Sequence, residues 1–167
     1  MTSVILGLDL STRCTGWGMV AWKDSLPPAY VASGVAEWKP KTPLGDVLRD
    51  LSRFLVDAQA KGLTAVVAED IFVGPNRQTV LSLAEMRGVV RHVCCAFDTP
   101  LLLVAPSTVK KQLAGHGRAS KGQVAQAVGL RLGIDVSEMP PDQTDALAVA
   151  LCAEIKVPAK ATPVEVA

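Results

Sequence analysis

The stretch from residue 4 to residue 20, VILGLDLSTRCTGWGMV, constrains this chain more than any other. It begins as a continuous apolar run, Val4-Ile5-Leu6, the pattern of a strand buried on both faces. One acid, Asp9, sits inside it between Leu8 and Leu10. A carboxylate on a buried central strand is costly unless something cationic meets it. After the turn Ser11-Thr12-Arg13 the chain returns as a second strand over 15–20, in which Gly16 and Gly18 leave one face bare. A face stripped in this way admits close approach of another backbone or of a ligand. The simpler alternative is an ordinary central hairpin whose Asp9 bonds a turn amide.

The rest of the chain alternates. A third strand is expected over 30–38, after which Pro40 and Pro43 break the sheet. Residues 44–61 read as a helix, with Leu44, Val47, Leu48, Leu51, Phe54, Leu55 and Ala58 at three- and four-residue steps. Gly62 is expected to close it. TAVVA at 64–68 is a short buried strand ending at Glu69-Asp70. Further helices are expected over 79–97, 108–114, 121–132 and 142–155, with a fifth strand over 101–104. Three strands in a meander, then strand–helix alternation, predict an α/β fold: a five-stranded mixed sheet flanked by helices. A chain of 167 residues is expected to form one domain over 1–158, with a flexible tail over 159–167.

Composition narrows the class. With 49% hydrophobic and 20% charged residues, the chain is globular rather than disordered or fibrous. No apolar run reaches the ~18–20 residues that span a bilayer. Asp9 also interrupts any signal-peptide pattern, so a cytoplasmic protein without membrane contact is expected. Cys14, Cys94, Cys95 and Cys152 lack CxxC spacing and read as buried, reduced thiols. Net charge is only +1, but five basic residues and no acid fall between Val104 and Gly133. Lys110, Lys111, Arg118, Lys121 and Arg131, with His116 among them, suit phosphate contact. A solvated helix pair with no partner fits the same pattern.

The acids carry the chemistry. Asp9 lies on the first strand, Glu69 ends the fourth, and Asp142 and Asp145 are three apart at the start of the last helix. If the first and fourth strands are neighbours, Asp9 and Glu69 point into one cleft, and a helix N-terminus beside it adds the other two. Close carboxylates repel by roughly 4 kcal/mol per pair at an effective dielectric of about 20. Cations between them remove that cost. Hard divalent ions with oxygen ligands, Mg²⁺ first, suit a site with no local His or Cys cluster. Two such ions about 3.5–4 Å apart activate water and stabilise the leaving oxygen of a phosphodiester. Simpler roles stay open: Asp142 as a helix cap, Glu69 as the partner of a surface lysine. Asp70 points to the opposite strand face and is left out.

Four blocks, in order, resemble the RuvC family of Holliday-junction resolvases, whose fold is ribonuclease H-like. They are LGLDLSTRCTGWG at 6–18, AEDIFVGPN at 68–76, LSLAEMRGVV at 81–90, and APSTVKKQLAGHGRASKGQVAQAV through DQTDALAVAL at 105–151. The resemblance implies a homodimeric, Mg²⁺-dependent endonuclease that nicks four-way DNA junctions in symmetric pairs. It implies two ions per active site, Mn²⁺ as a substitute, and a branch-migration helicase complex among the partners, while the departures from the family pattern extend the expected substrates to other branched DNA. On it, Asp9, Glu69, Asp142 and Asp145 are the metal-binding acids and Lys110 and Lys121 contact DNA, with Lys111 and Arg118 beside them in the basic segment. Phe72 falls on the aromatic used at the junction; the alternative is a core phenylalanine under its loop. The helix over 79–97 corresponds to the dimer-forming helix, and its apolar residues are too many for one buried stripe. Three positions depart from the family: Leu10-Ser11 replaces the usual Pro-Gly after Asp9, and Asp70 replaces Gln. GLDLSTRCTGWG also resembles the first phosphate loop of actin and sugar-kinase ATPases, but the Asp-Gly and Gly-Gly loops those need are missing from this sequence. A non-catalytic branched-DNA-binding relative is the remaining alternative.

Overall fold

Five strands, β1 (Thr2–Leu10), β2 (Cys14–Lys23), β3 (Ala29–Glu37), β4 (Leu63–Glu69) and β5 (Leu101–Val104), form one sheet in the order β3-β2-β1-β4-β5. β1, β2 and β3 pair antiparallel as a meander, and β1, β4 and β5 run parallel. The computed structural model describes residues 2–11, 14–24, 26–39, 42–71 and 77–155. Thr12, Arg13, Phe72, the loop Gly74-Pro75-Asn76, and the domain boundary and tail expected at 158 and beyond lie outside them.

Side chains alternate across a strand, and each face of the sheet has its own helices. Val4, Leu6 and Leu8 of β1, with Val66 and Ala68 of β4, pack against α1 (Leu44–Gln59) and α2 (Arg77–Ala96). Ile5 of β1, with Ala65 and Val67 of β4, packs on the other face. That face is covered by α3 (Pro106–Ala114), α4 (Lys121–Leu132) and α5 (Pro141–Leu151). The two-residue period therefore carries Asp9 and Glu69 to the α5 side and Asp70 to the α2 side. There Asp70 accepts from Arg87 Nη1 at 2.9 Å.

α5 is the most buried helix, with every residue from Ala146 to Leu151 inside the core. It lies almost on the backbone of β1 and β2, because the strands present glycine to it. A Cβ on Gly7 would collide with the Ala146 carbonyl and lie 2.6 Å from Ala150 N. One on Gly16 would collide with the Asp142 carbonyl, and one on Gly18 would lie 2.7 Å from Leu147 Cδ2. The bare face expected from Gly16 and Gly18 is thus a seat for a helix.

Most expected boundaries hold to within two residues, the usual ambiguity of frayed ends. The last helix does not run through 155 as expected: it closes at Leu151 and continues as a 3₁₀ turn, Cys152–Ile155. Gly62 does not cap α1, which ends at Ala60 in right-handed geometry. It turns the chain into β4 two residues later, at a φ of +89° that an L side chain resists. None of the four cysteines is in a disulfide, but only Cys94 and Cys152 are buried, Cys14 being half-buried and Cys95 exposed. Expecting all four inside was wrong because α2 turns Cys95 outward, one residue past the core-facing Cys94.

Candidate active site

Asp9 and Glu69 end adjacent parallel strands, β1 and β4, whose register pairs Leu8 with Ala68. Both are half-buried. With Asp145, from the second turn of α5, they line one cleft of about 210 Å³. Its other walls are Pro106, Val109 and Lys110 of α3, Lys121 and Val124 of α4, and Ala148 and Val149 of α5. Pro106, Val109, Val124, Ala148 and Val149 make one side of that lining apolar.

The electrostatics follow from burial and crowding. The Asp9 carboxyl is pushed up to about 7, first by burial and then by Asp145, Glu69 and Asp142, with Lys121 pulling the other way. Glu69 is also raised, by burial and then by Asp145, while Lys121 and Lys110 oppose the shift. Lys121 Nζ donates to Asp145 Oδ2 at 2.7 Å, and that bond holds its ammonium above the usual lysine range. Local sequence places this lysine. Ser120 Oγ accepts from Gln123 N at 3.2 Å while Ser120 N donates to Gln123 Oε1 at 2.9 Å. This capping box starts α4 at Lys121, at the cleft mouth.

The structure brings Asp9, Glu69, Asp145, Lys110 and Lys121 together in one cleft, with Asp142 flanking it and Lys111 and Arg118 outside it. Asp142 stands at the rim rather than in the cleft lining, and it does not cap α5, whose N-cap is Pro140 with no side-chain bond. Its carboxylate accepts from Cys14 Sγ at 3.0 Å, and that bond holds the thiol above its usual range. Glu69 faces the cleft rather than a surface lysine partner. Lys111 and Arg118 are exposed and do not line the cleft. Phe72 is outside the described residues. Sequence reasoning missed Cys14, which it read as one more core thiol; its place five residues after Asp9, at the foot of the return strand, was the available signal.

The family model described as crossover junction endodeoxyribonuclease RuvC matches residues 5–153. The chain belongs to the RuvC family. Among its relatives, the crossover junction endodeoxyribonuclease RuvC of Sphingopyxis alaskensis is 40% identical over 151 residues, covering 89% of this chain and 95% of that protein. The RuvC of Alkalilimnicola ehrlichii is 39% identical, covering 89% and 88%. Among solved structures, T. thermophilus RuvC in complex with Holliday junction substrate superposes with a TM-score of 0.79 at 27% identity, covering 89% of this chain and 91% of that one. The sheet is thus ribonuclease H-like, and membership makes the chain a metal-dependent nuclease of the Holliday-junction resolvase class rather than an ATPase of the actin type.

The donor set fits that chemistry. Three carboxylates with no His or Cys in the cleft lining offer hard oxygen ligands. Among the described residues no three His, Cys, Asp or Glu side chains close into a ready-made metal cage; the acids share the walls of an open cleft instead. Also among the described residues, no helix is long and apolar enough to cross a membrane.

Proposed function

We propose that this chain resolves four-way DNA junctions by hydrolysing phosphodiesters in this cleft, with Asp9, Glu69, Asp145 and the flanking Asp142 holding two Mg²⁺ ions. One observation carries the assignment: acids from β1, β4 and α5 meet on one sheet face, where burial and then their mutual repulsion push Asp9 to about 7. When bound, the ions supply an activated water and charge for the leaving oxygen, and Mn²⁺ serves as a substitute. The protein's own part is to hold the acids in register, keep one side of the cleft apolar, and set Lys110 and Lys121 where a scissile phosphate enters. Purified protein on a four-way junction should yield paired nicks with Mg²⁺ and none with EDTA. Binding without cutting under both conditions would support the non-catalytic alternative.

Lys110 and Lys121 are assigned to phosphate. Lys121 is 75% exposed, so its bond to Asp145 leaves room for DNA. Replacing both by Ala should weaken junction binding and flatten its salt dependence by up to about two units of slope. An unchanged slope, read by gel shift across salt concentrations, would put the DNA elsewhere. Lys111 and Arg118, outside the cleft, are assigned to the flanking duplex arms on the same grounds.

The active form is a homodimer through α2, acting in the cytoplasm with a branch-migration helicase as a further partner. α2 buries Met86, Val90, Val93 and Cys94 against its own sheet yet leaves Leu81 60% exposed. Light scattering at micromolar concentration checks the dimer; a monomer both free and on a junction would refute it.

A further inference from the structure

We propose that Cys14 is a positioning residue for the metal site: its thiol, held by Ser11, grips Asp142 and aims that carboxylate at the cleft. The inference rests on the metal-site reading above and adds to it a residue outside the four acids. Cys14 and Gly16 are two apart on β2 and so share the face beneath α5. Gly16 lets the backbone of Asp142 settle on the strand. Cys14 takes its side chain, with Sγ donating to Oδ2 at 3.0 Å. Backbone and carboxylate of one residue are thereby fixed by neighbouring positions of one strand.

Cys14 is itself restrained. Ser11 Oγ donates to the Cys14 carbonyl at 2.7 Å and accepts from Cys14 N at 3.1 Å, and Ser11 N donates to the same carbonyl at 3.1 Å. Ser11 is one of the residues that replace the family's Pro-Gly after Asp9. The substitution is coherent: the hydroxyl ties the ends of the hairpin turn together where Pro-Gly would shape it by backbone geometry. That tie sets the height at which the thiol meets α5.

The chemistry suits a support rather than a ligand. A thiol is a weak, neutral donor. It orients a carboxylate without cancelling its charge, as an Arg or Lys in the same place would. It also occupies one oxygen of a group with about four lone-pair sites, so a cation can still be met. Donors of this kind behind a metal ligand typically change metal affinity by about 10–100-fold.

The test uses the full chain and reads Mn²⁺ binding to the free protein by calorimetry, beside the Mg²⁺ concentration for half-maximal junction cleavage. Cys14→Ala should weaken Mn²⁺ binding about tenfold and raise the Mg²⁺ requirement, while junction affinity in EDTA and the melting temperature stay near wild type. Cys14→Ser, which keeps a donor, should restore most of the loss. In an Asp142→Asn background, Cys14→Ala should add nothing further. Equal loss in Cys14→Ala and Cys14→Ser, unchanged Mn²⁺ affinity in Cys14→Ala, or an undiminished effect in the Asp142→Asn background would each overturn the proposal. Asp9→Asn is the control for the site itself. If it loses Mn²⁺ binding while Cys14→Ala does not, only the role of Cys14 falls. If Asp9→Asn binds Mn²⁺ as wild type does, the metal site is wrong and this inference falls with it.

Discussion

Asp9→Asn is expected to abolish junction cleavage, lowering the rate by roughly a thousandfold or more, while the protein still binds a four-way junction. The substitution keeps the shape of the side chain and removes its charge. Metal ions supply several kcal/mol of transition-state stabilisation, and about 4 kcal/mol corresponds to a thousandfold. Affinity for DNA comes from contacts to phosphate, and removing an anion from the cleft helps rather than hinders it. The same variant should be more stable than wild type in EDTA at pH 8. Folding raises the Asp9 carboxyl from 3.8 to about 7, so between those values the folded protein binds more protons than the unfolded chain. Stability contributed by this group therefore falls as pH rises through that window and levels off above about 7. Asn has no such charge, so its advantage should be full at pH 8 and fade as pH falls toward 4. Glu69 shifts in the same direction. Lys121 is raised, so what it contributes is kept until alkaline pH and does not move this window. Near-wild-type cutting by Asp9→Asn would sink the metal reading; a melting temperature below wild type at pH 8 in EDTA would sink the electrostatic one.

How much of this was legible beforehand follows from which forces act locally. Apolar runs and three–four spacing are local, and they placed all five strands and the helices that flank them. The two-residue period of β4 is local as well: it separated Glu69 from Asp70, and the Asp70–Arg87 pair on the α2 side is its consequence. The convergence of Asp9 and Glu69 needed one further assumption, that β1 and β4 are neighbours, which depends on the path of the chain. What stayed hidden depends on how elements dock. Gly7 gives no strand-breaking or turn signal, yet it seats the middle of α5 as Gly16 seats its start. The bond from Lys121 to Asp145 requires the start of α4 to meet α5 across 24 residues of chain. Cys14 became meaningful only once Asp142 lay above it. The 3₁₀ ending of α5 likewise carries no residue that forces it, since Cys152 and Ala153 are as apolar as the helix before them and equally buried.

Gly7→Ala is expected to unfold the protein at a markedly lower temperature, and Gly16→Ala to cost activity more than stability. Both add one methyl group, but at different points along α5. At Gly7 the new Cβ would collide with the Ala146 carbonyl, lie 2.6 Å from Ala150 N and 2.9 Å from Ala150 Cβ. These are backbone atoms and a rigid methyl in the middle of a buried helix, so no side chain can rotate out of the way. The helix has to lift, opening its contacts with β1, β2 and β4 together. Overpacking a core typically costs about 1–3 kcal/mol and sometimes more; with backbone as the obstacle, about 3 kcal/mol or above is expected here. For a chain of this size that corresponds to a fall of roughly 6–12 °C in melting temperature. At Gly16 the obstacle is the carbonyl of Asp142, at the N-terminal end of α5. An end can hinge away at smaller cost, but the hinge carries Asp142 away from Cys14 and Asp145 away from the Asp9–Glu69 pair. Gly16→Ala should therefore melt closer to wild type and cut junctions far more slowly, with junction binding kept. Calorimetry and a junction gel on the two variants separate the effects. Melting of Gly7→Ala within about 2 °C of wild type would mean that α5 does not rest on β1 as described, and full cleavage by Gly16→Ala would mean that the height of its first turn does not set the site.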